Sequence, residues 1–385
     1  MKAGRIGLIM GMTLMTMFGA VSCKVDFSPN AEWKEVPVVW CVLDQYDDTT
    51  WVRVQRCYLG NENLYNYTQV SDSIYYPKDS ITVTLEKWNA TEGADNILTI
   101  TGDVPVATKT LEYKLCNNKD TGLFAGGLQP LYCAPTFGWL QPNFVYRLVV
   151  SHKATGEVIA TAETQLVGLK IDQSNPRARD LVALNRPDPA TPAYSQFRFA
   201  GNPAKCEIAW KPLVRARLYQ PVVRFYYYHL AADANGDMHN DYSKRYHVDI
   251  NVPSVTQSAS PNEVTTAIYE SSFFSDLVDA VRQKGDNASK GFCDTVDIRL
   301  SACNEDLNAY IKSTEPSNTI VQDRVVYTNI NDGKGVGIFA ARRMPHVLQD
   351  SSTTFIFTVP TNNETGSGSY HEKLKNLHIG FEAAE

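Results

Sequence analysis

Residues Ser80–Trp88 read SITVTLEKW, and this stretch decides the fold that we expect for the chain. Apolar Ile81, Val83 and Leu85 alternate with polar residues, a period of two that is typical of a β-strand with one buried face and one solvated face. Val, Ile and Thr also fit the pleated surface of a sheet better than a helix. The stretch therefore predicts a strand in a β-rich fold.

The same alternation recurs on both sides of this strand. Upstream, Pro37–Leu43 and Trp51–Leu59 have the apolar content of two paired strands. Downstream, Phe144–Ser151 and Glu157–Val167 predict a hairpin around the turn sequence HKATGE. About seven short strands separated by turns are typical of an immunoglobulin-like sandwich. We therefore predict an N-terminal immunoglobulin-like β-sandwich domain over residues 23–168.

A proline-rich stretch separates this region from a second β-rich one. Asp172–Tyr194 carries four prolines and little periodicity, so residues 169–194 are predicted to be a linker. Residues 195–385 again show strand periodicity and predict a C-terminal β-rich domain. Apolar residues at helical spacing predict two short helices within it, at Ser272–Lys284 and Asn304–Ser313.

The chain begins with a segment typical of an export signal. Lys2 and Arg5 provide the positive start, and the apolar run Ile6–Val21 follows them. This run is shorter than the roughly 20 apolar residues that span a bilayer comfortably. A cleaved signal is therefore favoured over a permanent membrane helix.

The end of this signal is similar to the lipobox of bacterial lipoproteins. Small residues, among them Ala20 and Ser22, lead into Cys23, although Ala20 stands where the lipobox most often has Leu. In such proteins, cleavage leaves the cysteine first and acylated, so we predict a lipoprotein signal peptide over residues 1–22 and lipid attachment at Cys23. Lys24 stands where inner-membrane retention signals have Asp, which favours the outer membrane. The alternative is an ordinary cleaved signal with an incidental cysteine.

Charge and cysteine content narrow the classes of partner and site. The formal net charge is −6 and no basic patch is visible, so nucleic acid is not expected as a partner. Of the eight cysteines, lipidation would use one, and the odd number left implies at least one free thiol. Absence of C-x-x-C removes the commonest zinc and redox spacings. Cys116 with Cys133 and Cys293 with Cys303 are plausible local disulfides.

One loop has the ligand pattern of a weak calcium site. Residues 233–241 read DANGDMHND, and they place candidate oxygen ligands at Asp233, Asn235, Asp237 and Asp241. An EF-hand loop would have Glu where Lys244 stands. The alternative is a solvated hairpin with Asn-Gly as its turn. Both interpretations of this loop stay open at this point.

Other candidate motifs favour structural roles. The aromatic run Phe225–His229 could stack on sugars, but alternation turns half of it towards the core. The glycine-rich Gly333–Gly337 lacks the Lys-Ser/Thr ending of a phosphate loop and precedes a strand, which favours a turn. Neither H-E-x-x-H nor G-x-S-x-G occurs. The sequence predicts neither a catalytic residue nor a cofactor, so the protein is not expected to be an enzyme.

Two blocks of the chain resemble a known lipoprotein family. VVWCVLD (38–44) with WVRVQRCYLG (51–60), and DLNAYIKST (306–314) with YTNINDGKGVGIFAARR (327–343), are similar to Bacteroidetes lipoproteins described only as domain of unknown function 4249. The likeness is spread over most of the mature chain, with insertions such as 233–242. It implies an outer-membrane setting, often beside TonB-dependent transporters, and it implies no activity.

Three functions follow as competing predictions. The first is a non-enzymatic, lipid-anchored outer-membrane binding protein, accessory to a TonB-dependent transporter and facing the periplasm or the cell surface. The second is a structural or adhesive surface module, since sandwich domains display loops for contacts. The third is a hydrolase with a dispersed active site, because catalytic groups need not be close in sequence.

Overall fold

A computed structural model describes residues 35–57, 70–117, 127–168, 182–184, 196–257, 263–315, 326–347, 353–361 and 370–382. These residues form a mainly β structure with few short helices, which confirms the predicted fold class. The predicted signal peptide and Cys23 lie outside the described residues. Within these ranges, none of the helices has the length and apolar character needed to cross a membrane.

The described chain contains strands from Pro37 to Pro360 and helices from Ser71 to Lys375. In chain order the elements are β1 (Pro37–Leu43), β2 (Thr49–Arg56), α1 (Ser71–Ile74), β3 (Ile81–Glu92), β4 (Leu98–Ile100), β5 (Ala107–Thr110), β6 (Glu112–Cys116), β7 (Gln129–Pro135), β8 (Phe144–His152), β9 (Val158–Gln165), β10 (Val182–Leu184), β11 (Lys205–Trp210), β12 (Leu218–Ala232), β13 (Met238–Asn240), β14 (Tyr246–Asn251), β15 (Val255–Thr256), β16 (Val264–Tyr269), α2 (Glu270–Gln283), β17 (Lys290–Cys303), α3 (Glu305–Thr314), β18 (Val336–Arg343), β19 (His346–Val347), β20 (Thr353–Thr354), β21 (Ile356–Pro360) and α4 (Tyr370–Lys375).

An eleven-stranded sheet joins the two halves of the chain. Its main path runs β13-β12-β17-β18-β1-β2-β7-β6, with β14 and β15 beside β12 and with β21 beside β17. At its centre β1 pairs in parallel with β18, so that Val39 lies opposite Gly337 and Leu43 lies opposite Ala341. The predicted N-terminal and C-terminal regions therefore share one sheet.

A five-stranded sheet, β4-β3-β8-β9 with β5 beside β3, forms the other layer of the sandwich. Its predicted inward face is correct, since Val83 and Leu85 are buried in one core with Val39 and Val54 of β1 and β2. Phe339, from β18, lies in the same core. The sandwich is therefore completed by a strand that lies about 170 residues further along the chain than the predicted end of its domain.

A second core fills the C-terminal region. There β10, β11 and β16 form a three-stranded sheet, and α2 buries Phe273, Leu277 and Val281 against the strands. Of the predicted linker, only residues 182–184 are described, and they form β10 and pair with β11. The division of the chain at residues 168 and 195 stays a prediction.

The two local disulfides predicted from the sequence do not form, because the strands hold their cysteines apart. Cys133 lies opposite Glu112 in the β6–β7 pair, four residues from Cys116, which is about 13 Å along a strand. Cys293 and Cys303 lie ten residues apart on β17, or about 33 Å. A disulfide needs Cα atoms within about 7 Å. No disulfide links any two of the seven cysteines in the described residues.

The glycine-rich stretch that leads into β18 is a turn, as the sequence predicted. Gly333 and Gly337 have φ values of +83° and +103°, which L-residues with a side chain rarely adopt. A Cβ atom on Gly337 would lie 1.9 Å from the carbonyl oxygen of Val39. Gly337 therefore allows β18 to enter the sheet beside β1.

Candidate functional site

A cleft of about 390 Å³ opens where the sandwich meets the start of α3. Its walls come from four parts of the chain: the β3–β4 turn, the strands β8 and β9, the segment before β12, and the N-terminus of α3. The lining residues are Asp95, Ile97, Val145, Glu163, Thr164, Gln165, Arg215, Ala216, Arg217, Asn304, Glu305 and Asp306. This volume lies in the range of small-ligand sites.

A second cavity, of about 350 Å³, adjoins the cleft. Glu163 lines both, and the second is completed by the turn before β18; its other lining residues are Arg147, Thr161, Ala162, Tyr327, Thr328, Asn329, Asp332 and Gly333. Only Glu163 is common to the two linings.

Asn304 fixes the floor of the cleft. Its side chain is buried, and its Oδ1 accepts hydrogen bonds from the backbone N–H of Leu307 at 3.2 Å and of Ala341 at 3.2 Å. Its Nδ2 donates to Thr164 Oγ1 at 2.8 Å and to the carbonyl oxygen of Gln165 at 3.2 Å. Asn is a preferred N-cap residue because its oxygen satisfies a free helix N–H. Here the cap also ties α3 to β9 and β18.

Asp306 lies beside this cap with both carboxylate oxygens engaged. Tyr327 Oη donates to Oδ1 at 2.8 Å, while Thr164 Oγ1 at 3.0 Å and Asn304 Nδ2 at 3.1 Å donate to Oδ2. Burial raises the pKa of Asp306, and these three hydrogen bonds oppose that rise in part. The carboxyl group is thus held in place and is easier to protonate than an exposed one.

The two arginines of the cleft, Arg215 and Arg217, and Arg147 of the adjoining cavity each pair with a glutamate. Arg217 Nε lies 2.7 Å from Glu305 Oε2, and the Nε and Nη2 of Arg147 both donate to Glu163 Oε1, at 2.8 and 2.6 Å. Arg215 donates to the carbonyl oxygen of Leu166 and to Glu92. Because a glutamate balances the charge of each arginine, the additional carboxyl groups of Asp95 and Asp306 make the cleft acidic. An acidic cleft favours neutral polar or cationic ligands over anions.

The predicted calcium loop forms a hairpin between β12 and β13. Asp233 Oδ1 accepts the backbone N–H of Asn235 at 2.7 Å and that of Asp237 at 3.0 Å, and its Oδ2 lies 3.3 Å from His239 Nε2. The structure does not bring Asp233, Asp237 and Asp241 together as a group that could share an ion. The geometry favours the hairpin alternative, and calcium binding there stays a prediction.

The aromatic run on β12 is largely internal. Phe225, Tyr226 and Tyr227 are buried, and Tyr226 Oη donates to Asp297 Oδ2 at 2.5 Å. Phe225 and Tyr227 belong to the second core, as the alternation predicted, whereas Tyr226 is buried outside that core, where the register of the β12–β17 pair shifts. Cys23, the predicted lipid site, lies outside the described residues.

The sequence did not single out Asp306, Thr164 or Glu163. Asn304 had a usable signal, since it stands at the start of a predicted helix. Its contact with Thr164 spans 140 residues, and neither a motif nor a spacing encodes such a contact. The cleft forms only where β9 packs against the start of α3, so it could not be predicted from the sequence.

The contribution of Asp306 to the free energy of unfolding should decrease as pH rises. Because its folded pKa is raised, the folded state binds the proton more tightly than the unfolded one. The stability that this proton provides is complete below about pH 4, the unfolded value, and is lost as pH rises through the folded pKa. Asp306→Asn should flatten this part of the stability curve, measured by urea unfolding across the acid range.

Asp279→Asn, on the exposed face of α2, is the matched control and should leave the curve unchanged. Parallel curves for wild type and Asp306→Asn would show that the Asp306 carboxyl group does not have a raised pKa in the folded protein.

Comparison with known proteins adds no family to this description. No family model matches the chain, and no curated protein matches it either. The likeness to the Bacteroidetes lipoprotein family therefore stays a prediction.

Proposed function

We propose that this protein is a non-enzymatic binding protein, held at the outer membrane by lipid on Cys23 and accessory to a TonB-dependent transporter. The observation that carries the proposal is the cleft between the sandwich and α3. It has the volume of a ligand site and lies where elements from both halves of the chain meet. The membrane setting and the transporter rest on the N-terminal segment and on the family likeness.

The lining of the cleft favours a polyhydroxylated ligand such as an oligosaccharide. Glu163 and Glu305 have partly exposed carboxylates, which accept hydrogen bonds from hydroxyl groups. Ile97, which is exposed, adds apolar surface to the same lining, and such surface packs against the C–H groups of a sugar. Apolar walls with a few placed polar groups are typical of small-molecule sites.

A hydrolase is the second candidate, because Asp306 has the raised pKa that a general acid needs. Binding is favoured over hydrolysis because each carboxylate has a structural partner. Asp306 accepts three hydrogen bonds, Glu163 pairs with Arg147, and Glu305 pairs with Arg217. A carboxyl group held in this way is poorly placed to exchange a proton with a substrate.

Thermal unfolding with a panel of soluble oligosaccharides tests the cleft. At least one compound should raise the melting temperature of the wild type, because a ligand that binds only the folded state stabilises it. The shift should disappear in the double variant Glu163→Gln/Glu305→Gln, which removes the two exposed acceptors.

Glu207→Gln is the matched control, since Glu207 pairs with Lys205 and has a side-chain exposure of 51%, close to the 49% of Glu163. It should keep the full shift. Equal shifts in all three proteins, or no shift with any compound, would contradict sugar binding in the cleft. Cleavage of a bound oligosaccharide by the wild type would favour the hydrolase.

A further inference from the structure

The parallel pairing of β1 with β18 brings together two chain segments about 300 residues apart in sequence. Leu43, the last residue of β1, lies opposite Ala341 of β18, so both strands end at the same edge of the sheet. Asp44 follows β1 directly, and its Oδ2 accepts the backbone N–H of Met344 at 2.9 Å. The carboxyl ends of parallel strands are a common place for ligand sites.

Three metal-ligating side chains converge at this edge. His346 Nε2 lies 3.6 Å from Asp44 Oδ2 and 3.6 Å from Asp47 Oδ1, and the three ligand atoms all lie within 4.8 Å of one another. A separation of 3.6 Å exceeds a hydrogen bond. It is close to the roughly 3.4 Å edge of a tetrahedron with metal–ligand bonds of about 2.1 Å.

The ligands are held in place by contacts of their own. Asp44 is buried, and its Oδ1 accepts the backbone N–H of Tyr46 at 3.1 Å. The backbone N–H of Asp47 donates to the Asp44 carbonyl oxygen at 3.2 Å, which closes the turn. His346 lies on β19, where it pairs with Thr354 of β20. Contacts that orient the ligand side chains in this way strengthen metal binding in proteins.

The two neighbouring arginines engage other atoms. Arg342 Nη2 lies 3.7 Å from the second carboxylate oxygen of Asp47, Oδ2, and its side chain is partly exposed. Arg343 Nη2 donates to Tyr46 Oη at 2.7 Å, and its guanidinium packs over the rings of Tyr46 and Phe355. Asp47 Oδ1, Asp44 Oδ2 and His346 Nε2 therefore face one another.

We propose that Asp44, Asp47 and His346 bind a divalent transition-metal ion, with Zn²⁺ as the best match and solvent as the fourth ligand. One imidazole nitrogen with two carboxylate oxygens suits Zn²⁺, whereas Ca²⁺ and Mg²⁺ prefer oxygen ligands throughout. The side chains of His346 and Asp47 are 28% and 35% exposed, so water reaches the edge of the cluster. The ion would clamp the ends of β1 and β18 together.

Isothermal titration of the full-length protein with ZnCl₂ tests this site. Its thiols are first alkylated, because thiolates also bind Zn²⁺. We expect one site of micromolar or tighter affinity and little heat with CaCl₂ or MgCl₂. His346→Gln and Asp47→Asn should each weaken Zn²⁺ binding by at least about tenfold.

His371→Gln is the matched control. His371 Nε2 also lies 3.6 Å from a carboxylate, Asp294 Oδ1, and its side chain is 27% exposed, but no second carboxylate completes a site there among the described residues. It should bind Zn²⁺ like the wild type. If His346→Gln does not fold, the Zn²⁺ affinity of Asp47→Asn tests the proposal, because the Asp47 side chain is partly exposed. No binding by the alkylated wild type, or equal binding by wild type and Asp47→Asn, would overturn the proposal.

Discussion

Gly337→Ala will lower the free energy of unfolding by about 4 kcal/mol, from backbone strain and overpacking together. The new Cβ atom would meet the carbonyl oxygen of Val39 at 1.9 Å, and the φ of +103° disfavours any L-residue with a side chain. Neither group can move freely, because Gly337 and Val39 are paired in the centre of the eleven-stranded sheet. Relief of the clash would separate β18 from β1.

Chemical denaturation of the two proteins measures this loss directly. Gly156→Ala is the control: Gly156 also has a positive φ, of +73°, but an added Cβ would meet nothing within 4 Å. That variant should lose only about 1 kcal/mol, the cost of the backbone conformation alone. Equal losses in the free energy of unfolding of the two variants would contradict the close contact between Gly337 and the carbonyl oxygen of Val39.

The destabilisation of Gly337→Ala should also affect the cleft and the proposed metal site. β18 supplies Ala341, whose backbone N–H binds Asn304 at the floor of the cleft, and it leads into Met344, whose N–H binds Asp44. We therefore expect protease cleavage of Gly337→Ala to begin in segments around these contacts before it reaches the second core.

Cys23→Ala will abolish acylation and outer-membrane location, if the N-terminal segment is the lipoprotein signal that it resembles. A single acyl chain gives only marginal membrane binding, while several chains hold a protein firmly, at about 0.8 kcal/mol per buried methylene. Every acyl chain depends on the one cysteine, so the effect should be complete rather than graded. Metabolic labelling with an alkyne fatty acid and gradient fractionation of membranes measure both consequences.

Cys57→Ala is the control, because Cys57 is an exposed thiol of the folded chain and is not preceded by a lipobox-like sequence. It should keep both the label and the membrane location. A wild type that fractionates with soluble periplasmic proteins, or a Cys23→Ala protein that keeps its label, would favour the ordinary cleaved signal.

The strands that could be predicted are those with strict alternation or a short run rich in β-branched residues. Pro37–Leu43 was predicted with the bounds that β1 has, and the hairpin around HKATGE corresponds to β8 and β9. The strand β7 was not predicted from the sequence. All of β7 but its last residue is buried, and a strand buried on both faces does not alternate.

The two candidate sites had no comparable signal. Asp306 and Thr164 approach only because β9 lies beside the start of α3, and Asp44 and His346 approach only because β1 and β18 run in parallel. The most regular ligand pattern in the sequence, residues 233–241, instead forms a local hairpin in which Asp233 binds backbone N–H groups. Regular spacing was therefore a poor guide to which side chains meet.

By itself, the sequence determined the mainly β class and the approximate positions of most long strands, because alternation and turn residues act over a few neighbouring residues. Its N-terminal segment also predicts export and a lipid anchor from local chemistry. Three features could be seen only in the folded chain: β18 completes the sandwich, the cysteines are held apart, and Asp44, Asp47 and His346 share one edge. These outcomes depend on strand pairing between distant parts of the chain, and that pairing is set by how the whole core packs.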